Sequence, residues 1–380
     1  MNNAGFDALA DLPPLTNEQK DALASTAQAL STRGKGILAA DESISTVGKR
    51  LVGAGLSNDA ETRRAYREVL LAHPRLGEWL AGVILFEETL LQENGEGVSF
   101  VDVLTAKGVV SGVKTDKGLE PIPESPREST TRGLDTLLDR SRSYYEQGAR
   151  FAKWRATIRI DTDAGLPTRG AILANAVGLA QYAAISQAAG LTPIVEPEIL
   201  IEGTHSPELF AEVSERVLGA VYGALSEAGV FLEGTVLKTQ MVMAGVDAPE
   251  KKATPSLTAE LTLRTLRRRI PPAVPGVVFL SGGQSEEEAT VNLDTINRLA
   301  KEDDRCHPWV LSFSFGRSLQ ASVLKIWAGR AENFDAAVDM SGKLAEANAS
   351  AQLGKYEGPH PSISGNSSLH DPNRGWRPAS

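Results

Sequence analysis

The sequence predicts an α/β fold of one domain, a (β/α)8 TIM barrel. Three observations carry that expectation. Short apolar runs alternate with amphipathic segments along most of the chain, the pattern of a parallel sheet whose strands are joined by crossover helices. Eight such runs follow one another with no sign of a reversal, which favours a closed barrel over an open doubly wound sheet. No proline-rich or low-complexity linker separates them, so residues 1–353 read as one barrel domain with an N-terminal extension. Residues 354–380 are rich in Gly, Pro, Ser and Asn without apolar periodicity and read as a flexible tail.

The predicted strands are, in order, Gly36–Asp41, Gly82–Glu87, Val109–Lys114 and Phe151–Ala156, then Leu191–Glu198, Phe231–Lys238, Gly276–Ser281 and Trp309–Ser314. Each is a short run rich in apolar residues, several of them carrying charged residues toward the C-terminal end. Helical spacing marks Thr168–Ala189, Ser206–Ala228, Thr258–Arg269 and Ser285–Lys301, with two further helices near Ser318–Gly329 and Ala331–Leu353. Gly34-Lys35-Gly36-Ile37-Leu38-Ala39 matches a dinucleotide fingerprint in letters only, because it precedes a strand instead of following one.

Composition narrows the function. Of 380 residues, 42% are hydrophobic and 23% charged, which fits a globular chain. A net charge of −9 argues against general nucleic-acid binding. No apolar run is long enough to cross a bilayer, and the MNNAGFDALADL start resembles neither a secretory signal nor a transit peptide. A sole cysteine, Cys306, excludes an intrachain disulfide and fits a reducing compartment. His73, His205, His307, His360 and His370 are scattered without metal-ligand spacing.

Barrel enzymes place their chemistry at the C-terminal ends of strands, and charged residues collect there. Lys238 ends an apolar run, and a desolvated lysine becomes a neutral amine that can attack a carbonyl carbon. Taken alone, it reads more readily as a strand-end lysine reaching solvent, since exposed lysines are the rule. Lys153 and Arg155 share one strand face, as do Glu196 and Glu198. Asp41 ends the first strand and could cap the following helix. Lys114 ends the third, in a KTDK run that reads as a solvated turn. The two glutamates could be a solvated strand end, or partners of Lys153 and Arg155. What these separate readings explain poorly is the gathering of all these groups on one rim.

Two loops suit anions. Ser281-Gly282-Gly283-Gln284-Ser285 leads from the seventh strand into a helix, with Ser285 and Glu288 in capping-box spacing. Ser314-Phe315-Gly316-Arg317 does the same after the eighth strand, and this pair of loops is the usual phosphate site of barrels. Arg50 could serve a second anion. Cations focused on an acidic body suggest a small substrate with more than one phosphate.

The segments GKGILAADES, GVILFEETL, FAKWR, IVEPEIL, LEGTVLK, PPAVPGVVFLSGGQSEEEA and SFSFGR resemble class I fructose-bisphosphate aldolase, from about Leu15 to Tyr356. The resemblance implies a homotetrameric, metal-free and cofactor-free lyase. Its substrate would be a sugar bisphosphate, with no nucleic-acid or membrane partner, and its location cytoplasmic, or the plastid stroma for a processed chain. It assigns Lys238 as the Schiff-base former, Lys153 as the cation that keeps it deprotonated, and Glu196 as acid/base with Glu198 in support. Asp41 would lie near the C4 hydroxyl. Ser281, Gly282, Ser314, Gly316 and Arg317 match the C1-phosphate site; Ser43, Thr46, Arg50, Lys114 and Arg155 match positions toward the C6 phosphate. Sedoheptulose 1,7-bisphosphate is a second expected substrate, and a scaffold role the non-catalytic alternative. Three departures stand out: Thr46 where the family often has serine, Phe315 where it often has tyrosine, and a tail ending Trp376-Arg377-Pro378-Ala379-Ser380 in place of a terminal tyrosine.

Overall fold

The computed structural model describes residue 9 and residues 12–123, 125–248, 253–303 and 307–370. Cys306, most of the N-terminal stretch and the terminal Trp376–Ser380 lie outside them. The strands among the described residues are β1 (Gly36–Ala40), β2 (Leu80–Leu85), β3 (Val110–Lys114), β4 (Leu119–Ile122) and β5 (Ser125–Thr131), then β6 (Phe151–Ile158), β7 (Thr192–Ile199), β8 (Val236–Gln240), β9 (Gly276–Leu280) and β10 (Val310–Phe315). Eight of them close a parallel barrel in the order β1-β2-β3-β6-β7-β8-β9-β10, with β10 pairing back onto β1. The predicted barrel and all eight of its strands are therefore present.

The barrel has an apolar floor. Ile37, Ala39, Ile84, Phe151, Ile194, Val236 and Val278 pack together inside it, joined by Ala27 and Leu30 from the helix Asn17–Leu30. That helix begins with a capping box between Thr16 and Gln19. Its Leu23 carbonyl accepts a 3.0 Å hydrogen bond from Thr192 Oγ1, at the start of β7, so the helix stoppers the N-terminal end of the barrel. Room for the Phe151 ring is made by Gly112: a Cβ there would lie 2.2 Å from the ring. Gly112→Ala should therefore cost about 1–3 kcal/mol by overpacking. A lowered urea midpoint with unchanged slope would register it; an unmoved midpoint would mean that the ring yields without cost.

The structure corrects two expectations. The run from Phe231 is not all strand: Leu232–Gly234 form a 3-10 turn, and pairing begins at Val236. Phe231 is tied instead to Gln187, whose side chain accepts from its N–H at 3.0 Å and donates to its carbonyl at 2.7 Å. Because β8 also runs on to Gln240, Lys238 is its third residue of five and not its end. Second, β4 and β5 form an antiparallel hairpin between the third and fourth barrel strands. It docks on β6 through Ser129 Oγ to Thr157 Oγ1 at 2.9 Å and Thr131 Oγ1 to the Arg155 carbonyl at 2.8 Å.

The long predicted helices appear within a few residues of their expected ends, as Arg169–Ala188, Pro207–Glu227, Pro255–Arg269, Glu286–Glu302 and Phe334–Gln352. The helix near Ser318 is shorter, Ala321–Trp327, after a 3-10 turn at Arg317–Leu319. Beyond the last helix, residues 355–370 have no helix or strand and run over Glu286–Glu302 and Ala321–Trp327. Tyr356 N–H donates to Asp294 at 2.8 Å, and Ile363 N–H to Ser322 Oγ at 2.9 Å. The fully buried Glu286 carboxylate accepts from Ser362 Oγ and from the Ser322 N–H. No helix among the described residues is long and apolar enough to cross a membrane.

Candidate active site

Alternation along the strands carries each from floor to rim. On β6 the inward positions read Phe151, Lys153, Arg155; on β7 Ile194, Glu196, Glu198; on β8 Val236, Lys238. Apolar residues occupy the first of these layers and ionisable ones the next. Lys238 is 2% exposed and Glu196 fully buried. Register sets Ile194 beside Val236, so Glu196 and Lys238, two residues on, are neighbours.

The ionic cluster is continuous. Lys238 Nζ lies 3.2 Å from Glu196 Oε1, and Lys153 Nζ lies 3.1 Å from Glu196 Oε2 and 2.6 Å from Asp41 Oδ2. The Glu196 oxygens are at ion-pair distance from both lysine nitrogens, yet neither receives a well-aligned hydrogen bond. Burial would raise the Asp41 carboxyl, but Lys153, then Lys238 and Lys114, outweigh it and hold it well below the usual range. Burial likewise disfavours the Lys153 charge, and Asp41, Glu196 and Asp116 overcome that and keep it a cation. Arg155 pairs with Glu198.

Twelve of the fifteen residues singled out in the sequence line one cavity at the C-terminal end of the barrel: Asp41, Ser43, Thr46, Arg50, Lys114, Lys153, Arg155, Lys238, Ser281, Ser314, Gly316 and Arg317. The other three lie just behind. Glu196 sits beneath the two lysines, Glu198 behind Arg155, and Gly282 next to Ser281. Of the bland alternatives, the pairing of the glutamates with Lys153 and Arg155 is realised, while the helix cap at Asp41 and the solvated strand ends are not. The helix Ile44–Gly53 is capped by Ser43, not Asp41. Glu196 and Glu198 are buried, and Asp116 of the KTDK run is 7% exposed and bound to Lys114 at 2.6 Å.

Two loops shape the anion end. Gly282, at φ +55°, turns the chain after Ser281 in a conformation that side chains disfavour. Ser285 and Glu288 form the predicted capping box on the helix that follows. Ser314 Oγ is buried with no hydrogen-bond partner among the described residues, as suits a hydroxyl reserved for a ligand. The tail reaches this end: Leu369 N–H donates to the Gly283 carbonyl at 2.9 Å, and Arg317 donates to the Leu369 carbonyl.

Sequence reasoning missed Glu42, Lys49 and Asp116. Glu42 and Lys49 line the cavity, and each adjoins a residue that was singled out. Asp116 was read as solvated, and only its tertiary burial shows otherwise. Among the described residues, no three His, Cys, Asp or Glu side chains are placed to hold a metal ion.

A barrel whose rim joins a buried amine, a buried carboxylate and a fixed cation, beside loops suited to phosphate, has the makings of a lyase acting on phosphorylated carbonyl compounds. A family model for fructose-bisphosphate aldolase class-I matches residues 22–375. The fructose-bisphosphate aldolase of Plasmodium falciparum is 51% identical over 336 residues, 88% of this chain and 89% of that one. The pea (Pisum sativum) cytoplasmic isozyme 2 is 52% identical over 339 residues, 89% and 92% of the two chains. A crystal structure of the P. falciparum enzyme, in complex with TRAP and a small molecule inhibitor, superposes with a TM-score of 0.88 at 51% identity, covering 91% of this chain and 98% of that one. The chain belongs to the class I fructose-bisphosphate aldolases and is a carbon–carbon lyase of glycolytic type.

Proposed function

We propose that this enzyme cleaves fructose 1,6-bisphosphate to dihydroxyacetone phosphate and glyceraldehyde 3-phosphate through an imine on Lys238. The observation that carries the reading is the buried line Lys238–Glu196–Lys153–Asp41. The Lys238 amine adds to the C2 carbonyl carbon. Glu196 protonates the departing C2 oxygen, which leaves as water, and the product is an iminium. The C3–C4 bonding pair then moves into that iminium as an enamine, and the C4 hydroxyl proton passes to Asp41, which Lys153 holds ionised. Glyceraldehyde 3-phosphate departs. Protonation at C3 and hydrolysis of the imine by water release dihydroxyacetone phosphate and restore the amine.

Arg155 holds Glu198 beside this line as the supporting carboxylate. Ser281, Gly282, Ser314, Gly316 and Arg317 receive the C1 phosphate. Ser43, Thr46, Arg50, Lys114 and Arg155 face the other end of the sugar. In this reading the enzyme is a metal-independent homotetramer of the cytoplasm; the cytoplasmic isozymes of pea and spinach, at 52% and 50% identity, support the location. The division between a barrel of residues 1–353 and a tail of residues 354–380 belongs to the same proposal.

Sodium borohydride with dihydroxyacetone phosphate should inactivate the enzyme and leave a reduced three-carbon phosphate adduct on Lys238, found by peptide mass spectrometry. An unmodified Lys238, or turnover abolished by a chelator, would overturn the proposal. The tail gives a separate test. Truncation after Tyr356 removes the Leu369 contacts with Gly283 and Arg317. It should slow protonation of the enamine, read as slower tritium exchange into dihydroxyacetone phosphate; an unchanged exchange rate would show the tail to be dispensable.

A further inference from the structure

Glu42 directly follows Asp41 at the exit of β1, yet its side chain takes a different path. Asp41 turns to Lys153, whereas the Glu42 carboxylate, 7% exposed, lies between two guanidinium groups. One oxygen pairs with Arg50 on the cavity wall. The other is 2.9 Å from Arg67, itself 2% exposed, which also donates to the Glu42 carbonyl at 3.3 Å. Gln320 completes the arrangement. Its Oε1 lies 3.4 Å from Arg50 Nη1 and accepts from the Tyr66 hydroxyl at 3.0 Å, and its Nε2 donates to the Ala39 carbonyl at 2.7 Å.

An arginine in the last turn of a short helix has several rotamers, and holding one costs side-chain entropy. A buried carboxylate fixed from behind by a second buried arginine removes that freedom before any ligand arrives. The Glu42 carboxylate pairs with Arg50 and Arg67, whereas Lys238 pairs with Glu196, the group that acts with it on the carbonyl. We infer that Glu42, anchored by Arg67, is a positioning residue that sets Arg50 for the second phosphate of a bisphosphate and so gives the enzyme its preference over monophosphorylated ketoses. The inference rests on the bisphosphate-cleavage reading above.

The test compares Glu42→Gln with the native enzyme on fructose 1,6-bisphosphate and fructose 1-phosphate. The substitution keeps shape and removes the charge that aligns Arg50. For the bisphosphate, kcat/KM should fall about tenfold or more, mainly through KM, the scale expected for a lost charge-assisted contact. For the monophosphate it should stay within about threefold, so the preference collapses. Arg67→Lys, which keeps a cation behind Glu42 but loses the forked contact, should give a smaller shift in the same ratio. An unchanged ratio in the folded Gln variant, or an equal loss on both substrates, would overturn the inference. Failure of the underlying reading looks different: the native enzyme would then show neither cleavage nor a borohydride adduct.

Discussion

Replacing Lys238 with methionine should abolish aldol cleavage, with a loss of at least about 10⁴-fold in kcat, while the protein stays folded. Methionine matches the length of the lysine stem and suits the surroundings: Lys238 stands one inward step above Val236, over the apolar floor. Glu196 keeps Lys153 at 3.1 Å, so its charge is not stranded. The thioether cannot form an imine, and Lys153, the other lysine on Glu196, is held as a cation by Asp41 and Glu196. Circular dichroism should show native helix content. Dihydroxyacetone phosphate should still bind through its phosphate, but borohydride should no longer fix it to the protein. Residual cleavage above about one part in a hundred would show that another group carries the covalent step.

Lys153→Met should be the most damaging single change to the rim in stability and activity together. This lysine is 3% exposed and is shared by two buried carboxylates, Asp41 at 2.6 Å and Glu196 at 3.1 Å. Removing one partner of a buried ion pair costs about 3–5 kcal/mol, since the charge left behind has no compensation. The sign of the pH dependence follows. In the native enzyme the Asp41 carboxyl is depressed from its ordinary 3.8, so its contribution is present above that value and lost as pH falls through the folded one. Lys153 is raised from 10.5, so its contribution is complete below that value and lost as pH rises through the folded one. The pair thus stabilises the fold across the whole range between. Without Lys153, Asp41 takes up a proton at higher pH than in the native chain. The deficit in unfolding free energy should be greatest near pH 7 and shrink toward pH 4. Urea titrations at both pH values would measure it, and a deficit independent of pH would refute the assignment. Activity should fall at least hundredfold, because a cation facing the reacting carbonyl is lost.

The barrel was legible because strands buried on both faces are written as apolar runs, and the helices between them as periodic ones. The hairpin β4–β5 was not. Its LEPI and SPREST segments are polar and contain proline, and they become strands only through each other and through Ser129 and Thr131 against β6. Phe231 misled for the opposite reason: it is apolar because it packs, while its backbone bonds go to Gln187. At the site, Lys238, Glu196 and Lys153 could be placed on one rim by counting two residues at a time. That Glu42 turns away from its neighbour depends on Arg67, far off in the chain, and that Asp116 is enclosed depends on the packing around it, although its ion-pair partner Lys114 is two residues away. No local pattern announces such pairings.

The helix that closes the N-terminal end of the barrel has a kinetic consequence. With Ala27 and Leu30 packed into the inner floor, the cavity that holds Lys238 opens at the C-terminal end of the barrel. On the imine proposed at Lys238, the ketone half stays bonded to the protein after the aldehyde half is cut free. On that reading the two products should leave in order, aldehyde before ketone, and in the condensing direction the ketone should enter first. Product-inhibition patterns should show that order: dihydroxyacetone phosphate competes with the bisphosphate for the empty chamber, and glyceraldehyde 3-phosphate traps the chamber while the ketone is still inside.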